Sequence, residues 1–338
     1  MNSLTKSTNS DRGASPVTLE SITSAAMRLD GEAVKTPLLE SGVLNRITEG
    51  RVLIKPEVLQ RTGSFKFRGA YNFISRIDEK DRERGVIAYS SGNHAQAVAA
   101  AASIFGIPAT IVMPEDAPKM KIAKTRSYNA NVLLYDRYKE SREDIVADIQ
   151  QRSGATLVRP FDDPKIIAGQ GTCGLELIIE ALKRDSRPDQ VLIPCGGGGL
   201  IAGSGTAIKA IAPDVEIFAV EPEDFDDTLR SLKSGKREKV DGDKRSVCDA
   251  LLAPSPGELT FAINCNLLHG ALGVSDDEVL EAIRFAFSEL KLVVEPGGAV
   301  ALAAILSGKI RTHDRITAIV LSGGNVDADF LSKVLTKK

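Results

Sequence analysis

Lys66 is the residue around which chemistry can be built. It stands in Thr62-Gly63-Ser64-Phe65-Lys66-Phe67-Arg68-Gly69-Ala70, beside a small-residue turn, at the head of a helix-like segment and between two aromatics. Desolvating such an amine disfavours its ammonium form, lowers its pKa and frees a lone pair that can attack an aldehyde. The plain alternative is a lysine whose stem lies on apolar surface while its charge stays in water. Two further segments argue for the chemical reading: Ser90-Ser91-Gly92-Asn93-His94-Ala95-Gln96 and Cys195-Gly196-Gly197-Gly198-Gly199-Leu200. Each follows a strand-like run and opens a helix-like one.

The four glycines leave bare backbone where amide groups could close around a phosphate, at the positive end of the following helix. In the Ser90–Gln96 segment (90–96), hydroxyls, an amide side chain and free helix N–H groups can hold a carboxylate, and an ordinary N-cap would use the same residues. Taken alone, His94 reads as a structural histidine. A rival for the glycine loop is a dinucleotide site, since Gly197, Gly199 and Ala202 fit that spacing and Glu221 ends the next strand-like run. That rival explains neither Lys66 nor residues 90–96. A nucleoside-triphosphate loop fits worse, because no Gly-Lys-Ser/Thr follows.

The elements that must position these residues are legible as an alternation. Short β-branched runs at 86–89, 109–113 and 132–135 alternate with amphipathic or alanine-rich runs at 95–105, 119–128 and 142–151, and the pattern resumes at 191–194, 201–211, 216–220, 276–290, 299–306 and 316–321. This predicts parallel strands linked by helices. Residues 223–256 read as loops with a short helix. Open parallel sheets bind ligands beyond the carboxyl ends of their strands, so the three segments are expected to converge on one crevice.

Composition excludes several other classes. With 338 residues, 43% of them apolar, the chain can bury two ordinary cores. A net charge of −2 from 43 basic and 45 acidic residues gives no footing for nucleic acid. Cys173, Cys195, Cys248 and Cys265 form no metal-type pair and read as thiols of a reducing compartment, with the cytoplasm as the expected location. No apolar run is long enough to span a membrane. Residues 1–15, rich in Ser, Thr and Asn, are expected to be a mobile tail.

Together these residues resemble the pyridoxal-phosphate-dependent serine/threonine dehydratase and serine racemase family. The resemblance runs through Lys35-Thr36-Pro37-Leu38, Ser64–Ala70 (64–70), Ser91-Gly92-Asn93-His94, Ala168-Gly169-Gln170-Gly171-Thr172, Gly196 to Gly199 and Leu321-Ser322-Gly323-Gly324-Asn325. It implies a two-lobed α/β fold like that of tryptophan synthase β, with open, mostly parallel twisted sheets. Residues 16–78 and 160–338 would form the large cofactor-binding domain and 79–159 the small one. It implies pyridoxal 5'-phosphate carried covalently by Lys66, which then removes the substrate α-proton. Phe65 would pack on the pyridine ring, the backbone of Gly196, Gly197, Gly198 and Gly199 would hold the phosphate, Asn93 the ring hydroxyl and Ser322 the ring nitrogen. Ser91 corresponds to the family's second acid/base, and Ser90, Ser91, Asn93, His94 and Arg142 would surround a small amino-acid substrate. Glu221, the Phe225 carbonyl and Asp227 match a site for Mg or Ca in racemase-like members. Arg142 suggests pairing with a second carboxylate. Relatives are commonly homodimers or homotetramers.

Two positions depart from many relatives: Ala95, where glycine is frequent, and Ser246-Val247-Cys248-Asp249-Ala250, where an Ala-Asp-Gly run is common. The expected reaction is α,β-elimination from L-threonine or L-serine to a 2-oxo acid and ammonia. Serine racemisation and 3-hydroxyaspartate dehydration are the nearest alternatives, and a nicotinamide-dependent dehydrogenase or a catalytically silent metabolite sensor are the alternatives of a different class.

Overall fold

The β-branched runs pair as parallel strands in two sheets. The computed structural model describes residues 15–336, so all but the last residue of the expected tail at 1–15 lies outside the described residues. The larger sheet contains β1 (Leu39–Glu40), β2 (Arg51–Pro56), β7 (Gln190–Pro194), β8 (Glu216–Pro222), β9 (Gly270–Val274) and β10 (Ile316–Leu321), in the order β1-β2-β10-β7-β8-β9. Only the β1–β2 pair is antiparallel; Ile319 stands opposite both Ile54 and Leu192. The smaller sheet, order β5-β4-β3-β6, is wholly parallel and is formed by β3 (Val86–Tyr89), β4 (Ala109–Pro114), β5 (Asn131–Tyr135) and β6 (Thr156–Leu157).

Parallel strands covered by helices on both faces need near-continuous apolar sequence, and β7 and β10 supply it: Val191, Leu192, Ile193 and Ala318 to Leu321 are all buried. On one face lies the helix Pro296–Leu306, buried from Pro296 to Ile305. On the other, Leu177 and Ile178 of the helix Pro164–Lys183 pack with Ile201 and Ile208 of the helix Gly199–Ile211. In the smaller sheet the alanine-rich helix Asn93–Ile104 is buried from Asn93 to Ala102, as its small side chains allow.

The helix Pro164–Lys183 is the rail that sets the site. A Cβ on its Gly169 would stand 2.6 Å from Gly69 Cα, and one on Gly69 would stand 2.4 Å from Gln170 Nε2. The Lys66–Ile74 helix therefore lies directly against it, with the Gly69 amide donating to Gln170 Oε1 at 3.1 Å. The Ala168–Thr172 motif (168–172) is thus a helix-crossing device. Behind it, fully buried Arg68 makes a two-pronged pair with buried Glu57 at 2.7 and 2.8 Å and also bonds Glu176.

Beside strand β2 and the helix Pro164–Lys183, which the sequence pattern does not mark, three details differ from expectation. The run at 276–290 is an α-helix only over Asp276–Phe285 and continues as a π-helical turn, Ala286–Leu290, closed by Lys291 at φ +59°. The run at 119–128 stops earlier, as the helix Lys119–Arg126. Strand β9 escapes the sequence pattern because its Gly270-Ala271-Leu272-Gly273-Val274 has two glycines and little β propensity, and pairing along β8 makes it a strand.

Candidate active site

The carboxyl ends of β3 and β7 and the turn before Lys66 open on one cavity of about 450 Å³. Phe65, Lys66, Ser90, Ser91, Asn93, His94, Arg142, Gly196 to Gly199 and Ser322 all line it. The three segments converge as the strand-end rule predicts.

The turn bearing Lys66 is stitched to the end of β10. Ser64 bridges Gly323, and the Phe65 amide donates to the Ser322 carbonyl at 3.1 Å. Lys66 Nζ donates to the Pro160 carbonyl at 2.8 Å and lies 5.1 Å from the centre of the Phe65 ring. Burial pulls its pKa down to about 8, with Glu295 opposing part of the fall. An amine of that pKa has a usable neutral fraction at neutral pH.

Gly198 turns the glycine loop into the helix Gly199–Ile211 at φ +89°, a conformation that costs glycine nothing. The Gly197 carbonyl accepts from Thr260 Oγ1 at 2.6 Å and the Gly198 carbonyl from Asn264 Nδ2 at 3.4 Å. The amides of Gly196 to Gly199 donate to no protein acceptor among the described residues. With its carbonyls tied back and its donors unpaired beside a helix N-terminus, the loop has the chemistry of a phosphate cradle.

Asn93 is fixed from both ends of its amide: Nδ2 donates to Glu295 Oε1 at 2.5 Å, and Oδ1 accepts from Asn325 Nδ2 at 2.9 Å. Glu295 is a cavity residue that the sequence pattern does not mark, as are Tyr89, Lys121 and Asp249. It caps the Pro296–Leu306 helix, and burial raises its pKa to about 7 against the pull of Lys121. Its signal was an acid directly before a helix-opening proline and two glycines, Glu295-Pro296-Gly297-Gly298. Lys121 also lines the cavity and pairs at 2.5 Å with Asp249, inside the run that departs from relatives.

His94 is buried, with Nε2 2.8 Å from the Val158 carbonyl; burial and then Lys66 push its pKa down to about 3, so the ring is neutral and donates that bond. Ser90 Oγ accepts from the Gly92 amide at 3.1 Å, which shapes the turn around half-buried Ser91. Arg142 begins the helix Arg142–Ser153, pairs through Nε with Glu143 at 2.8 Å and lies 4.8 Å over the Tyr89 ring.

Glu221, Phe225 and Asp227 are not among the residues lining the cavity: they stand at the end of β8, in the turn after it and at the first position of the helix Asp227–Ser234. Buried Glu221 accepts from the amides of Thr228 and Leu229 at 3.0 and 2.9 Å. Asp227 Oδ2 is buried without a partner. Burial raises both carboxyls, Glu221 to about 8 with further repulsion from Asp227, and Asp227 to about 7. No cluster of three or more His, Cys, Asp or Glu side chains suited to a metal occurs among the described residues.

A depressed lysine amine facing unpaired loop amides fits an aldehyde that carries a phosphate. Comparison with known proteins agrees: residues 29–323 match the pyridoxal-phosphate-dependent enzyme family, and the chain belongs to it. It is 43% identical over 323 residues to an L-threonine ammonia-lyase of Thermotoga maritima, covering 95% of this chain and 79% of the relative. It is 42% identical to an L-threo-3-hydroxyaspartate ammonia-lyase of Pseudomonas sp, covering 92% of this chain and 96% of the relative. The solved structure of maize serine racemase superposes with a TM-score of 0.89 at 35% identity, over 95% of this chain and 98% of that one. The chain is a pyridoxal-phosphate-dependent enzyme of the ammonia-lyase type, and the two-sheet α/β architecture is that of its family.

Proposed function

We propose that this enzyme eliminates water across Cα and Cβ of a small β-hydroxy amino acid, and that the resulting enamine hydrolyses to a 2-oxo acid and ammonia. L-Threonine and L-serine are the favoured substrates, and Arg142 at the cavity wall brings 3-hydroxyaspartate third. The observation that carries the reading is the depressed Lys66 amine set in one cavity with four loop amides that lack acceptors.

When bound, pyridoxal phosphate supplies the electron sink that makes the substrate α-proton removable. On this reading Lys66 holds the cofactor and then takes that proton, the Gly196–Gly199 amides (196–199) hold the phosphate, Phe65 packs on the ring, Asn93 meets the ring hydroxyl and Ser322 the ring nitrogen. The Asn93 amide is already oriented for that task by Glu295 and Asn325. Ser90, Ser91 and the start of the Asn93–Ile104 helix receive the substrate carboxylate, with His94 as a neutral wall. Ser91 in the same cavity favours a second reading, in which it exchanges the α-proton on the face opposite Lys66 and the enzyme also racemises serine.

Glu221, the Phe225 carbonyl and Asp227 are proposed to hold Mg or Ca. The support is the unpaired buried oxygen of Asp227 beside a second buried carboxylate, a donor set suited to a hard cation. Residues 79–159 are proposed as the small lobe and 16–78 with 160–338 as the large one, each with its own sheet. A cytoplasmic homodimer or homotetramer is the proposed working form, with the four free cysteines supporting the compartment.

The test is to supply serine, threonine and 3-hydroxyaspartate in both configurations and to quantify oxo acid and enantiomer. Ammonia and oxo acid from the L-hydroxy amino acids are expected. Ser91→Ala should suppress racemisation and D-serine elimination more than L-serine elimination. Absence of oxo acid from every member of the panel would overturn the proposal.

A further inference from the structure

Arg142 occupies an electrostatically awkward place. It is the first residue of the helix Arg142–Ser153, where the macrodipole is positive and a cation is disfavoured. The residues that follow it, Glu143 and Asp144, are acids of the kind such a position normally takes. A local rule broken beside a site calls for something that holds the misplaced group. Two contacts do so. Glu143 Oε1 accepts from Nε at 2.8 Å, and the guanidinium carbon lies 4.8 Å from the centre of the Tyr89 ring. Nη1 and Nη2 have no partner among the described residues, which leaves the outer edge of the fork free for a carboxylate.

Tyr89 is the last residue of β3, and Ser90 and Ser91 follow directly. One strand end therefore carries both the hydroxyls expected near the substrate α-carboxylate and the ring under the guanidinium. Both Tyr89 and Arg142 line the cavity. The Tyr89 hydroxyl has no hydrogen-bond partner among the described residues, so the ring face is what the residue contributes.

We propose that Tyr89 is a positioning residue for substrate selection: its ring face holds the Arg142 guanidinium at the cavity wall, and thereby sets the preference for amino acids bearing a second carboxylate. This rests on the reading of Arg142 given above. A planar cation stacked on an aromatic face loses less freedom when it pairs bidentately than one swinging in solvent.

The experiment measures kcat/KM for 3-hydroxyaspartate and for L-serine in the holoenzyme and in Tyr89→Phe, Tyr89→Ala and Arg142→Ala. The readout is the ratio of the two values. Tyr89→Phe keeps the ring and should keep the ratio. Tyr89→Ala should lower it about tenfold, the scale of a partly desolvated cation–π contact, chiefly through KM for the diacid. Arg142→Ala should lower it at least as far, and Tyr89→Ala should add little in the double variant. A ratio unmoved by Arg142→Ala overturns the reading of Arg142 itself. A ratio that falls in Arg142→Ala but stays in Tyr89→Ala overturns the role of Tyr89 alone. A fall in Tyr89→Phe equal to that in Tyr89→Ala overturns the ring-face argument.

Discussion

Gly198→Ala is the substitution that most directly probes the glycine loop. The residue stands at φ +89°, where a side chain costs about 1–2 kcal/mol. The new Cβ would lie 2.8 Å from Asn264 Nδ2 and 3.1 Å from Thr260. Displacing packed neighbours costs about 1–3 kcal/mol more. The sum, about 2–5 kcal/mol, corresponds to a fall of about 3–7 °C in melting temperature for a chain of this size. Asn264 and Thr260 are also the groups that tie back the loop carbonyls, so moving them re-aims the amides on the other side. Loss of one charge-assisted amide contact weakens cofactor binding by about ten- to a hundredfold. Gly205→Ala, in the same helix, is the control: its Cβ would meet Ile217 and Leu267 at an ordinary 3.5 Å. It should stabilise the helix by about 0.5–1 kcal/mol and leave cofactor affinity as it is. The assay is thermal unfolding of the cofactor-free protein, followed by spectrophotometric titration with pyridoxal phosphate. Parent-like melting and affinity in Gly198→Ala would refute the reasoning.

Other elements give independent tests. Glu57→Gln removes one of the two carboxylates that neutralise fully buried Arg68 and leaves it Glu176, so urea unfolding should show a loss of about 1.5–3 kcal/mol, the scale of a hydrogen bond to a charged group; a loss under about 0.5 kcal/mol would contradict the burial argument. The folded pKa of Lys66, about 8, lies below its ordinary 10.5, so between those values the unfolded chain binds more protons and this residue's contribution to stability rises with pH. In cofactor-free protein the advantage of Lys66→Met over the parent should therefore be full below pH 8 and fade towards pH 10.5; an advantage that does not change across that window would contradict the shift. Chelation should lower the melting temperature of the parent and Mg should restore it, while Asp227→Ala should respond to neither; equal indifference in both proteins would remove the proposed cation site.

Much of this architecture is legible in the chain because parallel strands and their helices write long, periodic apolar patterns. The runs that become β3, β4, β7, β8 and β10 stand out, since each is buried and rich in branched residues. Strand β9 is hidden because it owes its form to β8 and not to its own glycine-containing sequence. The convergence of Lys66, Ser91 and the glycine loop is also legible, because all three sit at or beside strand-to-helix turns and an open sheet gathers those on one edge. Glu295 is not, since a lone glutamate before a proline looks like any helix cap until tertiary packing buries it against Asn93. The pairing of Lys121 with Asp249 is hidden for the same reason: the partners are 128 residues apart. Arg142 is marked in sequence only by its resemblance to an arginine that meets a second carboxylate; its ion pair with Glu143 and its place over the Tyr89 ring come from the fold.

The central claim is that the amine of Lys66 captures the cofactor aldehyde. Protein loaded with pyridoxal phosphate, reduced with borohydride, digested and examined by mass spectrometry should carry the reduced pyridoxyl group on the peptide containing Lys66, with the visible absorption of the loaded protein bleached in parallel. A peptide containing unmodified Lys66, with the label absent or on another lysine, would contradict the account.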